Sequence, residues 1–470
     1  MIKTFVKEAE RGERAMDKWR KWGALCALLA LACLTFTGCS FKMAVSPEDL
    51  YCLPQLPSQY TELNSCIQKL LEDGAEYAAP TAGTNIQPVQ LADLNGDGKS
   101  EALAFLRKTD DEKPLKIYIF SPRGQSYVQT AVIEGNGTAI ASIAYRDLDG
   151  DGKMELIIGW KVGSELQALT VYSLREGQPE ELMRTNYVRY AITNLDQNKM
   201  QELVVLHTNE EGESVADYYS WGTARTSLSM TSAARLSMTM AELSSGQVAD
   251  GELSDGTPVL FITGVSESNT EISDILGVRQ GGLANLTLSD TTGVTTEIYR
   301  YLTLFPTDIN NDGVTEAPVA VSIPTRGVGD PGSSYRIDWR CYDKTGKGTT
   351  VESTYHDMED GWYLVLPAEW KGKILITRNQ TGADEMCVTL SYWEDPQVKP
   401  LDFLCVYTMS GDNREVKASR GNRFILSRQA ETVYAAELLS GNAAWQYGMT
   451  EDKLRASFHL ITTEWTVSDN

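Results

Sequence analysis

Short apolar segments recur along the chain, and the clearest of them follow clusters of Asp, Asn and Gly. Four such segments lie at 102–106, 156–160, 203–206 and 317–321. Each is only four or five residues long and is bounded by turn residues, which is typical of buried strands rather than helices. Further short strands are predicted between them, for example at 116–120 and 168–172. The chain is therefore predicted to be mainly β.

The pattern changes after about residue 352, where the Asp-rich spacing stops. The predicted strands of this region lie at 387–393, 403–408, 423–426 and 433–438. Residues 449–460 place Leu454 and Phe458 on one face of a predicted helix, and an earlier helix is predicted at 60–71. Strands with at least one helix favour a separate small α+β domain over residues 353–470. The alternative is that these residues form two further β units of the preceding kind.

A nine-residue motif precedes the main strands. It reads Asp-Leu-Asn-Gly-Asp-Gly-Lys-Ser-Glu at 93–101, Asp-Leu-Asp-Gly-Asp-Gly-Lys-Met-Glu at 147–155 and Asp-Ile-Asn-Asn-Asp-Gly-Val-Thr-Glu at 308–316. A degenerate copy lies at 194–202. The long interval before residue 308 predicts a skipped copy near Gly251, where an Asp-Gly turn and a strand remain. Five repeats are therefore expected.

The motif has the ligand pattern of a cation-binding loop. Oxygen side chains at positions 1, 3 and 5, a Gly at 6, a main-chain carbonyl at 7 and a carboxylate at 9 suit calcium, which accepts about six to eight oxygens. About three structural calcium ions are predicted. Their side-chain ligands would be Asp93, Asn95, Asp97 and Glu101; Asp147, Asp149, Asp151 and Glu155; and Asp308, Asn310, Asp312 and Glu316, with main-chain oxygens from Lys99, Lys153 and Val314.

The degenerate copy at 194–202 lacks the Gly and keeps two carboxylates, Asp196 and Glu202. It is expected to bind an ion weakly or to be held by hydrogen bonds alone.

Because strands rather than helices flank these loops, the sequence resembles the FG-GAP/VCBS repeat family, whose calcium-bearing blades also occur in integrin α chains. The resemblance covers roughly residues 85–350 and implies a β-propeller over 59–352, including a lead-in helix. Many members have seven blades, whereas five repeats are counted here. The segment 80–95 with the helix before it resembles the lead-in of lipid-anchored VCBS-repeat proteins of Gram-positive bacteria. Residues 362–370 (Trp-Tyr-Leu-Val-Leu-Pro-Ala-Glu-Trp) faintly resemble PsbP-type lipoprotein domains.

The amino end has the three parts of a secretory signal. Basic residues at 18–21 precede an apolar run at 22–36, and Leu-Thr-Phe-Thr-Gly-Cys at 34–39 resembles the lipobox of bacterial lipoproteins. The resemblance implies cleavage of a signal peptide (1–38), lipid on the sulfur of Cys39, a spacer to residue 58, and tethering to the outer face of the cell membrane.

One residue departs from the lipobox pattern, since Phe36 stands where an aliphatic residue is usual. The alternatives are an ordinary signal peptide with an incidental Cys39 and an uncleaved helical anchor. The anchor is disfavoured because the apolar run is shorter than the roughly 20 residues that a membrane span needs.

The charge of the chain excludes one class of partner. The formal net charge is −22. Residues 1–38 hold seven basic and four acidic residues, so the mature chain keeps 35 basic and 60 acidic ones. Such a surface repels nucleic-acid phosphates and anionic lipid headgroups, so no nucleic-acid partner is expected and membrane contact should depend on the lipid alone.

The cysteines offer no zinc or redox motif, because no two are spaced as in CxxC. Cys66 is predicted either to bridge to Cys52 or to act as a buried apolar residue.

No catalytic residue is predicted. The three histidines, His207, His356 and His459, lie in no nucleophile or metalloprotease motif, and each is expected to be a surface or structural residue. The GxGxxG match at 327–332 contains Pro331 and precedes a strand, so it is interpreted as a loop. The favoured function is an extracellular binding module that presents one propeller face to a protein, peptide or glycan. The alternative is an extracellular hydrolase or lyase with carboxylates in the propeller funnel.

Overall fold

A computed structural model describes most of the chain beyond the predicted spacer. The described residues are 60–461 apart from 125, 165, 176, 223–224, 269, 290, 292–294, 296–297, 301–303, 324–333 and 394–397. The predicted signal peptide, Cys39, the spacer to residue 58 and the GxGxxG loop lie outside them. The chain divides into two compact units, Met1–Asn64 and Ser65–Asn470.

Helices are few in the described residues. The longest is α1 (Thr61–Glu72), close to the predicted 60–71. Shorter ones are α2 (Met240–Ser244), a 3-10 turn (Ala368–Trp370), α3 (Arg414–Ala418), α4 (Ser440–Ala444) and α5 (Glu451–Ser457). Among the residues described, no helix is both long and apolar enough to cross a membrane.

The described part of the second unit forms six antiparallel sheets, numbered here in chain order. Sheet 1 contains β1 (Glu76–Tyr77), β2 (Val89–Ala92), β3 (Glu101–Arg107), β4 (Leu115–Arg123) and β5 (Ser126–Gly135). Sheet 2 contains β6 (Ala139–Arg146), β7 (Glu155–Lys161), β8 (Gln167–Arg175) and β9 (Gln178–Tyr187). Sheet 3 contains β10 (Arg189–Thr193), β11 (Glu202–Thr208), β12 (Ser214–Trp221) and β13 (Leu228–Arg235).

The other three sheets follow the same plan with additions. Sheet 4 contains β14 (Gln247–Glu252), β15 (Pro258–Val265), β16 (Thr270–Arg279), β17 (Gly282–Asn285) and β18 (Ile298–Arg300). Sheet 5 contains β19 (Ala317–Ser322), β20 (Tyr335–Tyr342), β21 (Gly348–Asp357), β22 (Trp362–Val365) and β28 (Phe458–Leu460). Sheet 6 contains β23 (Ile374–Gly382), β24 (Glu385–Tyr392), β25 (Leu401–Ser410), β26 (Phe424–Arg428) and β27 (Thr432–Leu438). The prediction of a mainly β chain is confirmed.

In sheets 1, 2 and 3 the strand that follows the acidic motif is buried on both faces. β7 reads Glu-Leu-Ile-Ile-Gly-Trp-Lys and is buried at every residue except the last. It pairs with β6 on one side and β8 on the other, for example Ile157 with Val171. Because both faces of the strand meet packed neighbours, its apolar residues form a continuous run instead of alternating with polar ones. The predicted strands at 102–106, 156–160 and 203–206 all occupy this position.

Consecutive sheets pack against each other through shared apolar clusters. Buried residues that join neighbouring sheets in one cluster are Phe105 and Ile158 for sheets 1 and 2, Leu169 and Leu203 for 2 and 3, Leu206 and Leu260 for 3 and 4, Phe261 and Ala317 for 4 and 5, and Leu364 and Val388 for 5 and 6. The fit is tight. A Cβ on Gly135 of sheet 1 would lie 2.3 Å from the indole of Trp160 in sheet 2. Six sheets stacked in chain order are the arrangement of a propeller-like fold.

The carboxyl-terminal third differs from the prediction. The boundary expected at residue 353 falls inside one continuous strand, β21, and β28 returns to pair with β22. The region thus completes sheet 5 and adds sheet 6, which shares a core with it. Of the two alternatives, further β units therefore describe the region better than a small α+β domain that begins at 353.

The predicted helix at 449–460 is also shorter than expected. α5 begins after Thr450, whose side chain accepts the N–H of Lys453, and ends at Ser457. Phe458 is extended, because β28 pairs with β22 instead of continuing the helix.

Candidate metal centres

The acidic motifs occupy equivalent places in their sheets. Loop 1 (93–101) leads from β2 into β3, loop 2 (147–155) from β6 into β7, and loop 3 (194–202) from β10 into β11. Loop 5 (308–316) leads into β19, and Thr307 pairs with Glu316 across its base. Loop 4 (253–257) joins β14 to β15 where the skipped copy is expected. The terminal Glu of each full motif thus lies where a buried strand begins.

The first residue of the motif is wrapped by the backbone of its own loop. The Asp147 carboxylate accepts the N–H groups of Gly150 (2.8 Å), Asp151 (3.2 Å) and Gly152 (3.0 Å). Asp93 accepts the corresponding three N–H groups in loop 1, and Asp308 accepts two in loop 5. These bonds fix the carboxylate within the loop, as a cation site requires of its first ligand.

The side chains at positions 3 and 5 each bind the backbone two residues further on. Asn95 Oδ1 accepts the N–H of Asp97 (2.9 Å), and Asp97 Oδ1 accepts that of Lys99 (2.8 Å). The same pairs recur in loops 2 and 5. In loop 2, one oxygen each from Asp147, Asp149 and Asp151 lies within 4.8 Å of the other two. Three carboxylates so close repel one another unless a cation lies among them.

The Glu at position 9 is buried in every copy. The N–H of position 2 donates to its Oε2, as in Leu94 to Glu101 (3.0 Å), Leu148 to Glu155 (2.9 Å), Leu195 to Glu202 (3.1 Å) and Ile309 to Glu316 (3.2 Å). Burial, reinforced by neighbouring Asp carboxylates, raises the pKa of Glu155 and of Glu316 to about 7. Position 2 is aliphatic because it lies in the core beside this glutamate.

The oxygens of Glu316 provide the test of fit to a cation. Its Oε2 accepts the N–H of Ile309, whereas its Oε1 is buried and has no hydrogen-bond partner in the described part of the chain. A buried, unsatisfied carboxylate oxygen is costly. Calcium binds such an oxygen readily, so the ligand set of loop 5 fits the ion. The donor set of loops 1 and 2 is of the same kind.

Two backbone positions in the loops require special conformations. Gly96 has φ +72° and Gly152 has φ +86°, which lie in the left-handed region that favours glycine. Loop 5 has Asn311 at φ 60° where loops 1 and 2 have glycine, and Asn tolerates this region better than most residues.

Sequence reasoning missed that the loops contact one another. The N–H of Met154 in loop 2 donates to the carbonyl of Leu94 in loop 1 (2.9 Å). The N–H of Gln201 in loop 3 donates in the same way to Leu148 in loop 2 (2.8 Å). A Cβ on Gly96 would lie 2.5 Å from a carbonyl oxygen of loop 2. The regular motif spacing and the aliphatic residue at position 2 were the signals of this contact.

Loop 3 is closed by amide groups. Asn194 Nδ2 donates to the carbonyl of Asn198 (2.6 Å), and Asn198 Nδ2 donates to Asp196 Oδ2 (2.7 Å). Amide contacts of this kind also occur in loops 1 and 5, where Asn95 Nδ2 donates to Glu101 Oε1 and Asn310 Nδ2 donates to Asp312 Oδ2. Glu202 Oε1 in loop 3 is buried without a hydrogen-bond partner among the described residues, so weak ion binding and closure by hydrogen bonds alone both stay predictions for this loop.

Lys153 has a second role that the sequence did not indicate. It was predicted to contribute only a main-chain oxygen, but its Nζ lies 3.1 Å from Asp151 Oδ2. This ammonium group partly offsets the negative charge of loop 2, at an exposed site where such a pair contributes little.

The remaining predicted residues lie apart from the loops. His356 is buried, and its Nε2 lies 2.9 Å from Thr354 Oγ1, whereas His459 is exposed and stacks on Tyr363. His207 Nε2 lies 2.8 Å from Asp217 Oδ2. The cysteines at 66, 341, 387 and 405 are free, and Cys52 lies outside the described residues, so its predicted bridge to Cys66 stays a prediction.

Comparison with known proteins gives one family and distant structural likenesses. The FG-GAP-like repeat family model matches residues 93–158, which contain loops 1 and 2. Curated proteins give no match. The crystal structure of rhamnogalacturonan lyase YesW aligns with this chain at 14% sequence identity and a TM-score of 0.27. The alignment covers 68% of this chain and 71% of the lyase chain. A crystal structure of a Lactobacillus plantarum protein is 12% identical with a TM-score of 0.22, over 65% and 88%. At these identities and scores, neither likeness bears on activity or ligand.

The family match and the six antiparallel sheets together support a β-propeller-like fold.

Proposed function

We propose that this chain is an exported, membrane-anchored binding module whose propeller is stabilised by calcium in loops 1, 2 and 5. The converging carboxylates of Asp147, Asp149 and Asp151 in loop 2 carry the proposal, and the unsatisfied Glu316 Oε1 in loop 5 supports it. The ligands would be the side chains predicted from the sequence, with main-chain oxygens from Lys99, Lys153 and Val314. A bound calcium ion would supply the positive charge that these converging oxygens lack.

Calcium in these loops would stiffen the fold at two levels. Each ion would join the turn between two strands to the buried glutamate that begins the second strand. Because loop 2 donates a backbone hydrogen bond to loop 1, ordering one loop also orders the next. An ion present at about 100 times its Kd contributes about 2.7 kcal/mol of stability per site. Three sites would therefore change the unfolding temperature visibly.

The location of the protein is proposed from its amino end. Signal cleavage before Cys39 and lipid on its sulfur would hold the module at the outer face of the cell membrane. Loops of micromolar or weaker affinity fill readily outside a cell. The two features are independent and point to the same compartment.

The alternative of a hydrolase or lyase needs two carboxylates in one cleft. A cleft of ≈ 680 Å³ between sheets 2 and 3 is lined by no acidic side chain. A second cleft, of ≈ 360 Å³ beside β20 and β21, is lined by one, Glu352. Neither of these two clefts therefore favours the enzyme alternative, and a binding role is the function we propose.

Thermal unfolding of residues 40–470 tests the calcium proposal. Millimolar calcium should raise the midpoint by on the order of 10 °C over the value in excess chelator, and magnesium should do less. Asp151→Asn places in loop 2 the residue type that loop 3 has at position 5, Asn198. This variant should lose about a third of the calcium-dependent rise in the unfolding midpoint. Asp196→Asn in loop 3 is the matched control and should leave the rise unchanged. An identical midpoint in calcium and in chelator would refute the proposal.

A further inference from the structure

The cleft of ≈ 680 Å³ lies between the first strands of sheets 2 and 3. Ser142, Ala144 and Arg146 alternate along β6 and so share one face of it, while Tyr190 and Ile192 share a face of β10. The chain before β2 covers the edge of β6, since the N–H of Ala82 donates to the carbonyl of Ala141 (2.8 Å). Most of the residues that line the cleft therefore lie on regular strands, and Ala82 and Gly83 of the preceding segment line one edge.

The charge of this cleft is opposite to that of the protein. The chain has a net charge of −22, yet the cleft is lined by Arg146 and Arg189 and by no Asp or Glu. In the described part of the chain, the one hydrogen-bond partner of the Arg146 guanidinium is the carbonyl of Tyr145 (2.8 Å), and no carboxylate pairs with it. Arg189 donates to the carbonyl of Ser244 (3.1 Å), which holds it at the rim. Burial lowers the pKa of Arg189 from its ordinary value. An anion in the cleft would compensate the charge of Arg146.

The other polar groups of the cleft are hydroxyls and an amide. They come from Ser142, Tyr187, Tyr190, Ser244 and Gln167. The rings of Tyr187 and Tyr190 meet edge to face, with centroids 5.6 Å apart. Gly159 in β7 leaves room for the Tyr187 side chain, because a Cβ at this position would lie 2.2 Å from the Tyr187 hydroxyl oxygen. Such groups bind hydroxyl-rich molecules.

The same lining disfavours other anions. Amino acids and peptide termini carry an ammonium group as well as a carboxylate, and the cleft has no acidic side chain to pair with it. A simple inorganic anion would use the arginines but leave the tyrosines and Gln167 without a role. A carboxylate on a hydroxyl-rich body matches both halves of the lining.

We propose that this cleft binds a carboxylate-bearing saccharide, with Arg146 and Arg189 on the carboxylate and the hydroxyl and amide groups on the sugar hydroxyls. This inference rests on the proposed binding function and names its ligand class. Guanidinium groups recognise carboxylates with paired hydrogen bonds, and aromatic side chains provide the flat polar walls that sugars contact.

Two trisaccharides that differ only in their carboxylates test the inference. Cellotriose and its fully C6-oxidised form, a β-1,4-linked glucuronate trimer, would each be titrated calorimetrically into residues 40–470, with calcium at equal concentration in cell and syringe. The oxidised trimer should bind at least tenfold more tightly than cellotriose, and added salt should weaken it. Arg146→Gln should lower its affinity about tenfold. Arg123→Gln, an exposed arginine on sheet 1, is the control and should not change it.

Each other outcome overturns the inference. These are no binding of the oxidised trimer, equal binding of cellotriose, unchanged affinity in Arg146→Gln, or binding of inorganic sulfate as tight as that of the trimer. Thermal unfolding with and without calcium, on the same samples, separates this inference from the proposed function. If calcium stabilises the chain but no saccharide binds, only the ligand assignment fails. If calcium has no effect, the calcium-stabilised module fails whatever the titration shows.

Discussion

Contact between loops 1 and 2 predicts that two neighbouring glycines respond very differently to the same substitution. Gly96 and Gly98 both have positive φ, +72° and +82°. An Ala at either position pays about 1 kcal/mol for the left-handed backbone. Around Gly98 nothing lies within 4 Å of the new Cβ, whereas at Gly96 the Cβ would lie 2.5 Å from the carbonyl oxygen of Gly152. Forcing that backbone oxygen away adds about 2 kcal/mol.

Urea unfolding of the two variants measures this difference. Gly98→Ala should cost about 1 kcal/mol and Gly96→Ala about 3 kcal/mol, seen as a larger drop in the urea midpoint at unchanged slope. Gly124→Ala, in a turn of φ +66° with nothing within 4 Å, gives the cost of backbone strain outside the loops. The difference should persist in chelator, because it comes from packing and not from the ion. Equal costs at 96 and 98 would refute the contact between the loops.

Two further predictions concern sheets 5 and 6. Burial lowers the pKa of His356 to about 3, so between pH 6.5 and 3 the unfolded chain binds the extra proton and folding weakens as pH falls. When the pH falls from 7 to 5, the free energy of unfolding of His356→Gln should therefore decrease by about 2 kcal/mol less than that of the parent chain. Parallel curves of unfolding free energy against pH for the two chains would contradict this. Arg378 pairs with buried Asp357 (3.0 Å), so Arg378→Ala should cost about 3 kcal/mol in urea unfolding. Arg428→Ala, which removes an exposed ion pair with Glu415, should lower the free energy of unfolding by under about 1 kcal/mol. Equal losses in Arg378→Ala and Arg428→Ala would contradict the stabilising role of the buried pair.

The strands that follow the acidic loops were predictable because burial on both faces gives them a continuous apolar sequence. The run at 156–160 needs no knowledge of its partners to be identified as a buried strand, and it forms the centre of β7. The loops were predictable for a different reason. Their Asp, Asn and Gly residues are required by the turn itself, so the side chains at positions 1, 3 and 5 bind the loop backbone as their spacing indicates.

The carboxyl-terminal third was harder to predict because its sheets have no loop motif to mark them. In sheet 6 the order β25-β27-β26 departs from chain order, and β28 pairs with a strand almost a hundred residues earlier. Such pairings are set by shape in the folded chain and have no local signal. Phe458 packs on Trp362 across this gap, with ring centroids 5.6 Å apart. The spacing of apolar residues at 449–460 predicts a helix to residue 460, but the pairing of β28 with β22 ends the helix at Ser457.

The arginine cleft could not be found from the sequence at all. Arg146 precedes the second acidic motif directly, and Arg189 lies 43 positions later at the start of β10. Nothing in their local sequence joins them. They share a cleft because sheets 2 and 3 pack side by side, which is a property of the whole fold.

Counting the bound ions shows whether loops 1, 2 and 5 hold calcium. Residues 40–470, freed of metal with chelator and returned to neutral buffer, would be titrated with calcium by calorimetry, and the occupied ions counted by native mass spectrometry. We expect three ions per chain, two in the Glu316→Gln or Asp151→Asn variant, and three in the Asp196→Asn variant. A chain that takes up no calcium, or whose count is unchanged in Glu316→Gln and Asp151→Asn, would contradict it.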